Sequence, residues 1–176
     1  MNPPIYRTLR FGITRVELSE GAPGVRYMRA EQPLQVYSQR ITDRLKLWAM
    51  TRPDQTFMAR RARLTDGSTG DWIHLTYAQA WDSARSIAQA LLDRKLSVDR
   101  PVVILSENDL EHAQLALGCL VAGVPFVPTS PAYSLISQDY DKLRHVLKTV
   151  TPGLLFAADA KRYGKAIAAV ASADME

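Results

Sequence analysis

The stretch Arg100–Pro131, RPVVILSENDLEHAQLALGCLVAGVPFVPTSP, predicts a strand, a helix and a second strand in direct succession. Val102–Leu105 is a short apolar run rich in β-branched residues, which favours a strand buried on both faces. Apolar side chains then recur at helical spacing up to Gly123, a residue suited to a left-handed helix end. Val124–Val127 is a second apolar run. A unit of this length predicts parallel strands joined by a right-handed crossover.

The start of the central helix is predicted at Asn108. An asparagine side chain can accept a hydrogen bond from a free N–H of the first turn, and Glu111 stands at capping-box spacing. In the same helix, Cys119 is expected to be a buried and unreactive thiol. The predicted buried stripe of this helix consists of Leu110, Ala113, Leu117, Leu120 and Val121.

Further elements are predicted on both sides of this unit. Strands are expected at 11–18, 25–28, 56–61, 73–75 and 154–157. The turn residues Asp66–Asp71 predict that the strands at 56–61 and 73–75 form a hairpin. Helices are expected from about Tyr37 to Thr51, from Thr76 onward, at 137–150 and at 161–171, with a loop at 130–136. The Thr76 helix has a capping box with Gln79 and a predicted stripe of Ala80, Ala84, Ile87, Ala88, Leu91 and Leu92.

This order of elements predicts the fold class and the domain organisation. We expect an α/β fold: a partial, doubly wound, mostly parallel sheet with flanking helices, preceded by a β-hairpin and short N-terminal strands. Residues 1–36 are interpreted as an irregular extension, and residues 37–176 as the first part of a larger domain. About three parallel strands would leave apolar sheet edges exposed, so the sequence predicts the opening part of a longer fold.

Composition excludes several classes of function. The 22 Lys and Arg residues against 18 Asp and Glu give a net charge of only +4, and the cluster Arg60–Arg63 has no interleaved aromatic residues. Nucleic-acid binding is therefore not expected, and the cluster is interpreted as a solvated strand face. The sequence contains one cysteine, no signal-peptide pattern and no apolar run of about 20 residues. These features predict a cytoplasmic protein without a membrane span.

Three possible kinds of site find little support in the sequence. The turn Asp66–Gly70 could wrap a phosphate, but Asp71 and Trp72 follow it where a phosphate loop would have a lysine. The three histidines, His74, His112 and His145, are far apart and lack metal-ligand spacing, and no nucleophile elbow surrounds Ser130 or Ser134. No catalytic, cofactor-binding or metal-binding residue is predicted.

The sequence predicts that any ligand binds at one edge of the predicted sheet. Ligands of open α/β sheets bind beyond the carboxyl ends of the strands. Ser106, Glu107 and Asn108 follow one strand there, although Asn108 is expected to act as a helix cap rather than as a ligand contact. The carboxylates of Glu107, Asp109 and Glu111 are explained by the dipole of the central helix. The second strand is followed by Thr129, Ser130 and Tyr133.

With these residues laid out, the chain resembles the N-terminal part of the adenylate-forming enzymes. The resemblance runs from about Tyr37 to Ala160 and is specific in order, spacing and residue type. Its residues are Trp48-Ala49, Arg52-Pro53-Asp54, Leu75-Thr76-Tyr77, Pro101–Leu105 with Asn108, Ala122–Pro125 and Val127-Pro128. Within this superfamily, Ser130–Leu135 and Asp139–His145 most resemble the feruloyl-CoA synthetase branch.

The resemblance implies a function for a longer, parent protein. Enzymes of this family use ATP and magnesium to convert a carboxylic acid into an acyl-adenylate, and coenzyme A then displaces AMP. The family's phosphate loop, its adenine- and ribose-binding residues and its catalytic lysine all lie further along than this sequence, so no site residue is carried over. The 176-residue chain is expected to be inactive alone, with the remainder of the polypeptide as its partner and an aromatic acid such as ferulate as the parent's substrate.

Two other readings stay open. The chain could be a self-contained, non-enzymatic binding module of flavodoxin-like shape, with an acidic or phosphorylated ligand near Ser106–Asn108. It could instead belong to an adenylation domain that feeds a carrier protein rather than coenzyme A.

Overall fold

The computed structural model describes Gly12 and residues 15–175, and the chain divides into two compact units, residues 1–38 and 39–176. In the first unit, β1 (Val16–Glu20) and β2 (Arg26–Ala30) pair antiparallel, with Val16 opposite Ala30. Two strands were expected here, but both lie further along the chain than the patterns at 11–18 and 25–28 predict. Phe11, with which the first pattern begins, lies outside the described residues.

The second unit begins with a helix and a hairpin. Helix α1 (Ile41–Thr51) starts four residues after Tyr37, where the Asp43 carboxylate accepts a hydrogen bond from the Arg40 N–H at 3.0 Å. Strands β3 (Thr56–Arg63) and β4 (Thr69–Thr76) pair antiparallel, which confirms the predicted hairpin. Both strands are longer than predicted because their pairing continues past the apolar residues, with Arg61 opposite Trp72 and Arg63 opposite Thr69.

Helix α2 (Tyr77–Asp93) begins with the predicted capping box. The Gln79 N–H donates to Thr76 Oγ1 at 3.2 Å, and the Thr76 N–H donates to Gln79 Oε1 at 2.9 Å. The predicted stripe is confirmed except at its last member, Leu92, which is exposed. Its fully buried residues are Ala80, Ala84, Ala88 and Leu91.

The centre of the second unit is a three-stranded parallel sheet in the order β6-β5-β7. Its strands are β5 (Val102–Ile104), β6 (Phe126–Pro128) and β7 (Leu154–Phe156), and Val103 lies between Val127 and Leu155. Helices α3 (Leu110–Ala122), α4 (Ala132–Leu135), α5 (Asp141–Val150) and α6 (Ala160–Val170) connect and flank these strands. The predicted α/β class with a partial parallel sheet is confirmed.

Alternate residues of the run Val102–Leu105, which contains β5, belong to two different cores. Val102 and Ile104 pack with residues of α2 and α3, among them Leu91 and Cys119. Val103 and Leu105 pack with residues of α5 and α6, and all four residues of the run are completely buried; the helical members of this second core are Leu143, Leu147, Tyr163 and Ala166. Burial on both faces explains why the run has no polar alternation.

The buried face of α3 differs from the predicted stripe. Leu110 is buried as predicted, but the other buried residues are Leu115, Gly118 and Cys119, and Leu120 is 41% exposed. The reason is that α3 contacts α2 as well as the sheet, and Gly118 lies at the α2 contact, so that the buried face turns toward two neighbours. Burial raises the pKa of the Cys119 thiol to about 11, which agrees with the expected inert cysteine.

The segment after β6 is more ordered than predicted at one place and less helical at another. The expected loop at 130–136 contains the single helical turn α4. Helix α5 begins at Asp141 rather than at Ser137, because Tyr140 has a positive φ of 57° and the Asp139 carboxylate accepts a hydrogen bond from the Asp141 N–H at 3.1 Å.

Among the described residues, no helix has both the length and the apolar character that crossing a bilayer requires.

Candidate functional site

The loop that follows β5 is anchored to the segment that follows β7. The Leu105 N–H donates to the Phe156 carbonyl at 2.7 Å, and Ser106 Oγ accepts from the Ala158 N–H at 2.8 Å. Because Ser106 is buried, its hydroxyl satisfies a backbone group rather than facing a ligand. The loop at 106–109 and the start of α6 therefore lie side by side at the carboxyl end of the sheet.

Asp109, not Asn108, caps helix α3. The His112 N–H donates to Asp109 Oδ1 at 2.7 Å, and Asp109 has the extended backbone of an N-cap residue. The predicted capping box of Asn108 with Glu111 is wrong because the helix begins one residue later than that spacing requires. Asn108 is exposed and is free to face the cavity described below.

The cap assignment predicts a contrast between neighbouring variants. Replacing Asp109 by alanine should lower the free energy of unfolding by about 1 kcal/mol, since a first-turn N–H loses its acceptor. Replacing Asn108 by alanine should change the free energy of unfolding by less than about 0.5 kcal/mol. Urea denaturation followed by circular dichroism measures both, and an equal loss in the two variants would contradict the assignment.

Arginines from the hairpin and from α6 converge on the carboxylates of this loop. Arg162 donates to Glu107 through both terminal nitrogens, from Nη1 to Oε2 at 2.7 Å and from Nη2 to Oε1 at 3.4 Å. Arg63 Nη2 donates to the same Glu107 Oε2 at 3.2 Å, and Arg60 Nη2 donates to Glu111 Oε1 at 3.2 Å. The predicted solvated strand face is confirmed for the exposed Arg61 and Arg63, although Arg63 also pairs with Glu107, and it is wrong for the half-buried Arg60. The helix dipole does not by itself account for Glu107 and Glu111.

The network sets the protonation behaviour of Glu107. The hydrogen bond from Arg162, helped by Arg63, lowers the pKa of the Glu107 carboxyl below its usual value. The side chain of Glu107 is 39% exposed, so solvent screens these pairs and their contribution to stability is modest.

A lowered pKa predicts a specific dependence of stability on pH. The stabilisation from Glu107 is fully present above its unfolded-state pKa of about 4.3 and is lost as the pH falls through the lower folded-state value. The melting temperature of the Glu107→Gln variant should therefore be below that of the unchanged protein at pH 6, with the difference shrinking toward pH 3. Thermal denaturation at several pH values tests this, and a difference independent of pH would contradict it.

These side chains surround a cavity of about 270 Å³ between β3, the 106–109 loop and the start of α6. One wall is Tyr163, which is 2% exposed. Its hydroxyl and the Nε of Arg60 are buried and have no hydrogen-bond partner among the residues that the structure describes. Burial raises the pKa of the Tyr163 hydroxyl, which therefore stays protonated at neutral pH.

The structure does not gather the other predicted residues at this cavity. Thr129 Oγ1 donates to the Ile104 carbonyl at 3.2 Å and is buried, and Tyr133 packs with the α5–α6 core. The Ser68 N–H and hydroxyl both donate to Asp66 Oδ1, at 2.9 and 2.6 Å, as expected for a hairpin turn. Within the described part of the chain, no three His, Cys, Asp or Glu side chains are grouped to hold a metal ion.

Sequence reasoning missed Arg60, Arg63, Arg162 and Tyr163 as residues of one site. Arg162 stands 55 positions after Glu107, and Arg63 stands 44 positions before it. No local spacing links such distant residues. The arginines lie on the hairpin and the carboxylates follow a strand of the parallel sheet, so the sequence offers no signal that joins them.

Comparison with known proteins identifies related sequences and folds. The profile of a family described as AMP-binding enzyme matches residues 45–175. Among solved structures, the fold is similar to that of a fatty acyl-adenylate ligase from Legionella pneumophila in complex with acyl adenylate and pyrophosphate, with a TM-score of 0.58 and 24% identity over 68% of this chain. The N-terminal domain of FACL13 from Mycobacterium tuberculosis has a TM-score of 0.56 and 19% identity over 77% of this chain. The nonribosomal peptide synthetase FmoA3 has a TM-score of 0.58 and 19% identity over 75% of this chain.

The structural matches at these identities establish the fold alone. The chain spans 20% of the Legionella protein, 31% of the FACL13 domain and 12% of FmoA3. No curated protein sequence matches this chain.

Proposed function

This chain belongs to the AMP-binding enzyme family, and we propose that it forms the first part of an ATP-dependent ligase that converts a carboxylic acid into an acyl-adenylate. The family match over residues 45–175 is the observation that carries the proposal. The Legionella structure, a complex with acyl adenylate and pyrophosphate, supports it, as does the small share of each related structure that this chain spans. The same match favours a ligase over a self-contained flavodoxin-like module.

The described residues do not fit a nucleotide or magnesium site. The carboxylate of Asp66 would repel a polyphosphate at the 66–70 turn, and it already accepts a hydrogen bond from the Ser68 N–H. No lysine follows in the turn. We therefore assign the binding of ATP, magnesium and coenzyme A to the longer protein and derive no catalytic step from the side chains of residues 15–175.

The finer proposal is an aromatic substrate of the ferulate type with coenzyme A as acceptor. It is supported by the motifs Ser130–Leu135 and Asp139–His145. The two motifs are in contact, since the ammonium group of Lys142 lies 5.6 Å from the centroid of the Tyr133 ring. Transfer to a carrier protein is the second candidate, and the similarity to the nonribosomal peptide synthetase FmoA3 supports it.

ATP–pyrophosphate exchange tests the proposal. Residues 1–176 alone should catalyse no exchange, while the protein encoded by the complete reading frame should exchange pyrophosphate in the presence of ferulate. Ferulate-stimulated exchange by residues 1–176 would overturn the assignment, and so would a complete protein that activates no acid from a panel of aromatic and aliphatic acids. Thioester formation with coenzyme A or with a carrier protein then distinguishes the two acceptors.

We also propose that residues 1–36 are an extension to a domain that begins near residue 37, in a protein that acts in the cytoplasm. The exposed ring of Tyr37 lies close to the division between the two units at residue 38. Brief chymotrypsin treatment should cleave first near Tyr37 and leave a resistant product that begins close to residue 38. A first cut within residues 77–170 would contradict this division.

A further inference from the structure

The hairpin of β1 and β2 has one apolar face. Successive side chains of a strand point to opposite faces, so every second residue of each strand shares this face. From the open end of the hairpin to its turn, the cross-strand pairs of the apolar face are Val16 with Ala30, Leu18 with Met28, and Glu20 with Arg26. We propose that the apolar face binds the same face of a second copy of the chain, in a two-fold symmetric dimer. The dimer involves residues 16–30 and does not depend on the ligase activity.

The opposite face of the hairpin is polar and carries partners for its own charges. Glu17 lies opposite Arg29, whose guanidinium carbon is 5.8 Å from the centroid of the Tyr27 ring. At the open end of the hairpin, Arg15 Nη1 lies 3.9 Å from Glu31 Oε2. This polar face is suited to contact with water, so a protein partner is expected on the apolar face.

The side chains of the apolar face are exposed. Leu18 is 66% exposed and Met28 is 70% exposed, and Val16 and Ala30 are exposed as well. A two-stranded hairpin is at best marginally stable in water, and it becomes stable when its apolar face packs against another element. Contiguous exposed apolar side chains are typical of contact surfaces. A partner that covers this face would therefore stabilise the hairpin itself.

The charges next to the turn identify a second copy as the partner. When two hairpins stack face to face with the two-fold axis along the strands, β1 of each copy lies over β2 of the other. Glu20 of each copy then faces Arg26 of the second copy, and Leu18 of each copy faces Met28 of the second copy. One symmetry operation thus joins opposite charges at the turn and apolar side chains behind them.

Other arrangements of two copies place the charges less favourably. A two-fold axis across the strands would lay the Glu20 carboxylate over Val16 of the second copy, without a charged partner. Pairing two β1 edges would bring together strands that each carry Glu17 and Glu20, and pairing two β2 edges would bring together strands that each carry Arg26 and Arg29. Pairing β1 with β2 of a second copy leaves a free edge on each side and does not close as a dimer.

Charge-reversal variants test the dimer by sedimentation velocity. The 1–176 chain should sediment as a dimer, and Glu20→Arg and Arg26→Glu should each weaken dimerisation by about tenfold or more, because like charges then face each other across the interface. An equimolar mixture of the two variants should dimerise with an affinity within about threefold of that of the unchanged chain. The reason is that every charged contact of the mixed dimer again joins opposite charges. Recovery on mixing separates an interface effect from a folding defect, which each variant would keep in the mixture.

Glu17→Arg is the matched control. Like Glu20→Arg, it places two arginines opposite each other within one hairpin, but it does so on the polar face, away from the second copy. Its dimerisation should stay within about twofold of that of the unchanged chain. Equal weakening by Glu17→Arg and Glu20→Arg would overturn the proposal, because the charge at position 20 would then act within the hairpin alone. The thermal transition of each variant checks its folding.

The same measurements can contradict the dimer in other ways. A 1–176 chain that sediments as a monomer at about 100 μM would overturn the proposal. If the amides of residues 16–30 were then protected from hydrogen exchange only in the protein encoded by the complete reading frame, the remainder of that protein would be what covers the apolar face. A dimer that neither Glu20→Arg nor Arg26→Glu weakens would use another surface, and a mixture of these variants that stays monomeric would exclude the stacked arrangement.

Discussion

Replacing Leu143 by alanine should lower the free energy of unfolding by about 2–5 kcal/mol, the range for large-to-small changes in a packed core. Leu143 is completely buried and packs in the core formed by one face of β5 with α5 and α6. Its removal leaves a cavity beside Val103 and Leu105, which the strand cannot fill because both its faces are already packed. Urea denaturation followed by circular dichroism measures the loss.

Leu120→Ala is the matched control for this change. The chemistry is the same, but Leu120 is 41% exposed on α3, so its truncation should cost less than about 1 kcal/mol. The predicted stripe of α3, which includes Leu120, would require a large loss in both variants. Similar losses would therefore contradict the observed orientation of α3.

Replacing Gly118 by alanine should also destabilise the chain, by about 1–3 kcal/mol, through overpacking between α2 and α3. A Cβ added at Gly118 would overlap Cγ2 of Ile87 and lie 2.7 Å from the Cβ of the same residue. These separations are far below van der Waals contact, and Ile87 is held between its own helix and the core. Helix propensity alone would make alanine more favourable than glycine by about 1 kcal/mol, so the sign of the change separates packing from propensity.

Gly164→Ala provides the control, because Gly164 lies inside α6 and a Cβ there would meet nothing within 4 Å. This variant should be more stable than the unchanged chain by up to about 1 kcal/mol. In an Ile87→Ala background, Gly118→Ala should cost less stability than it does in the unchanged chain, because the smaller residue 87 makes room for the new methyl group. A stabilising effect of Gly118→Ala would show that the helices do not approach as closely as described.

The features that could be predicted from the sequence are those that neighbouring residues determine. The β-branched run Val102–Leu105 has no polar alternation, and its residues pack in the cores on both faces of the sheet. The capping box of Thr76 with Gln79 needs only a spacing of three, and the left-handed Gly123 ends α3 with a φ of 73°. Each of these depends on contacts within one turn or one strand.

The errors have a common physical origin in contacts between distant residues. The faces of α2 and α3 are predicted one helix at a time, whereas in the structure the two helices pack on each other at Gly118 and Ile87, and Leu92 and Leu120 are exposed. The cap at Asp109 could not be told from the sequence, because Asn108 and Asp109 both have side chains that can cap a helix. The arginines around Glu107 come from elements that meet only after the sheet has formed, and no spacing in the sequence records that meeting.

The position of β5 between its two partners has a consequence for synthesis on the ribosome. Phe156, which ends β7, lies 28 residues after Pro128, which ends β6. At roughly 5–20 residues per second, translation delivers β7 about 1.5–6 s after β6. During that interval the nascent chain exposes the backbone of β5 on one side and the apolar residues that later contact α5 and α6. A chaperone that holds extended apolar segments would find its best target here between the emergence of residues 128 and 156.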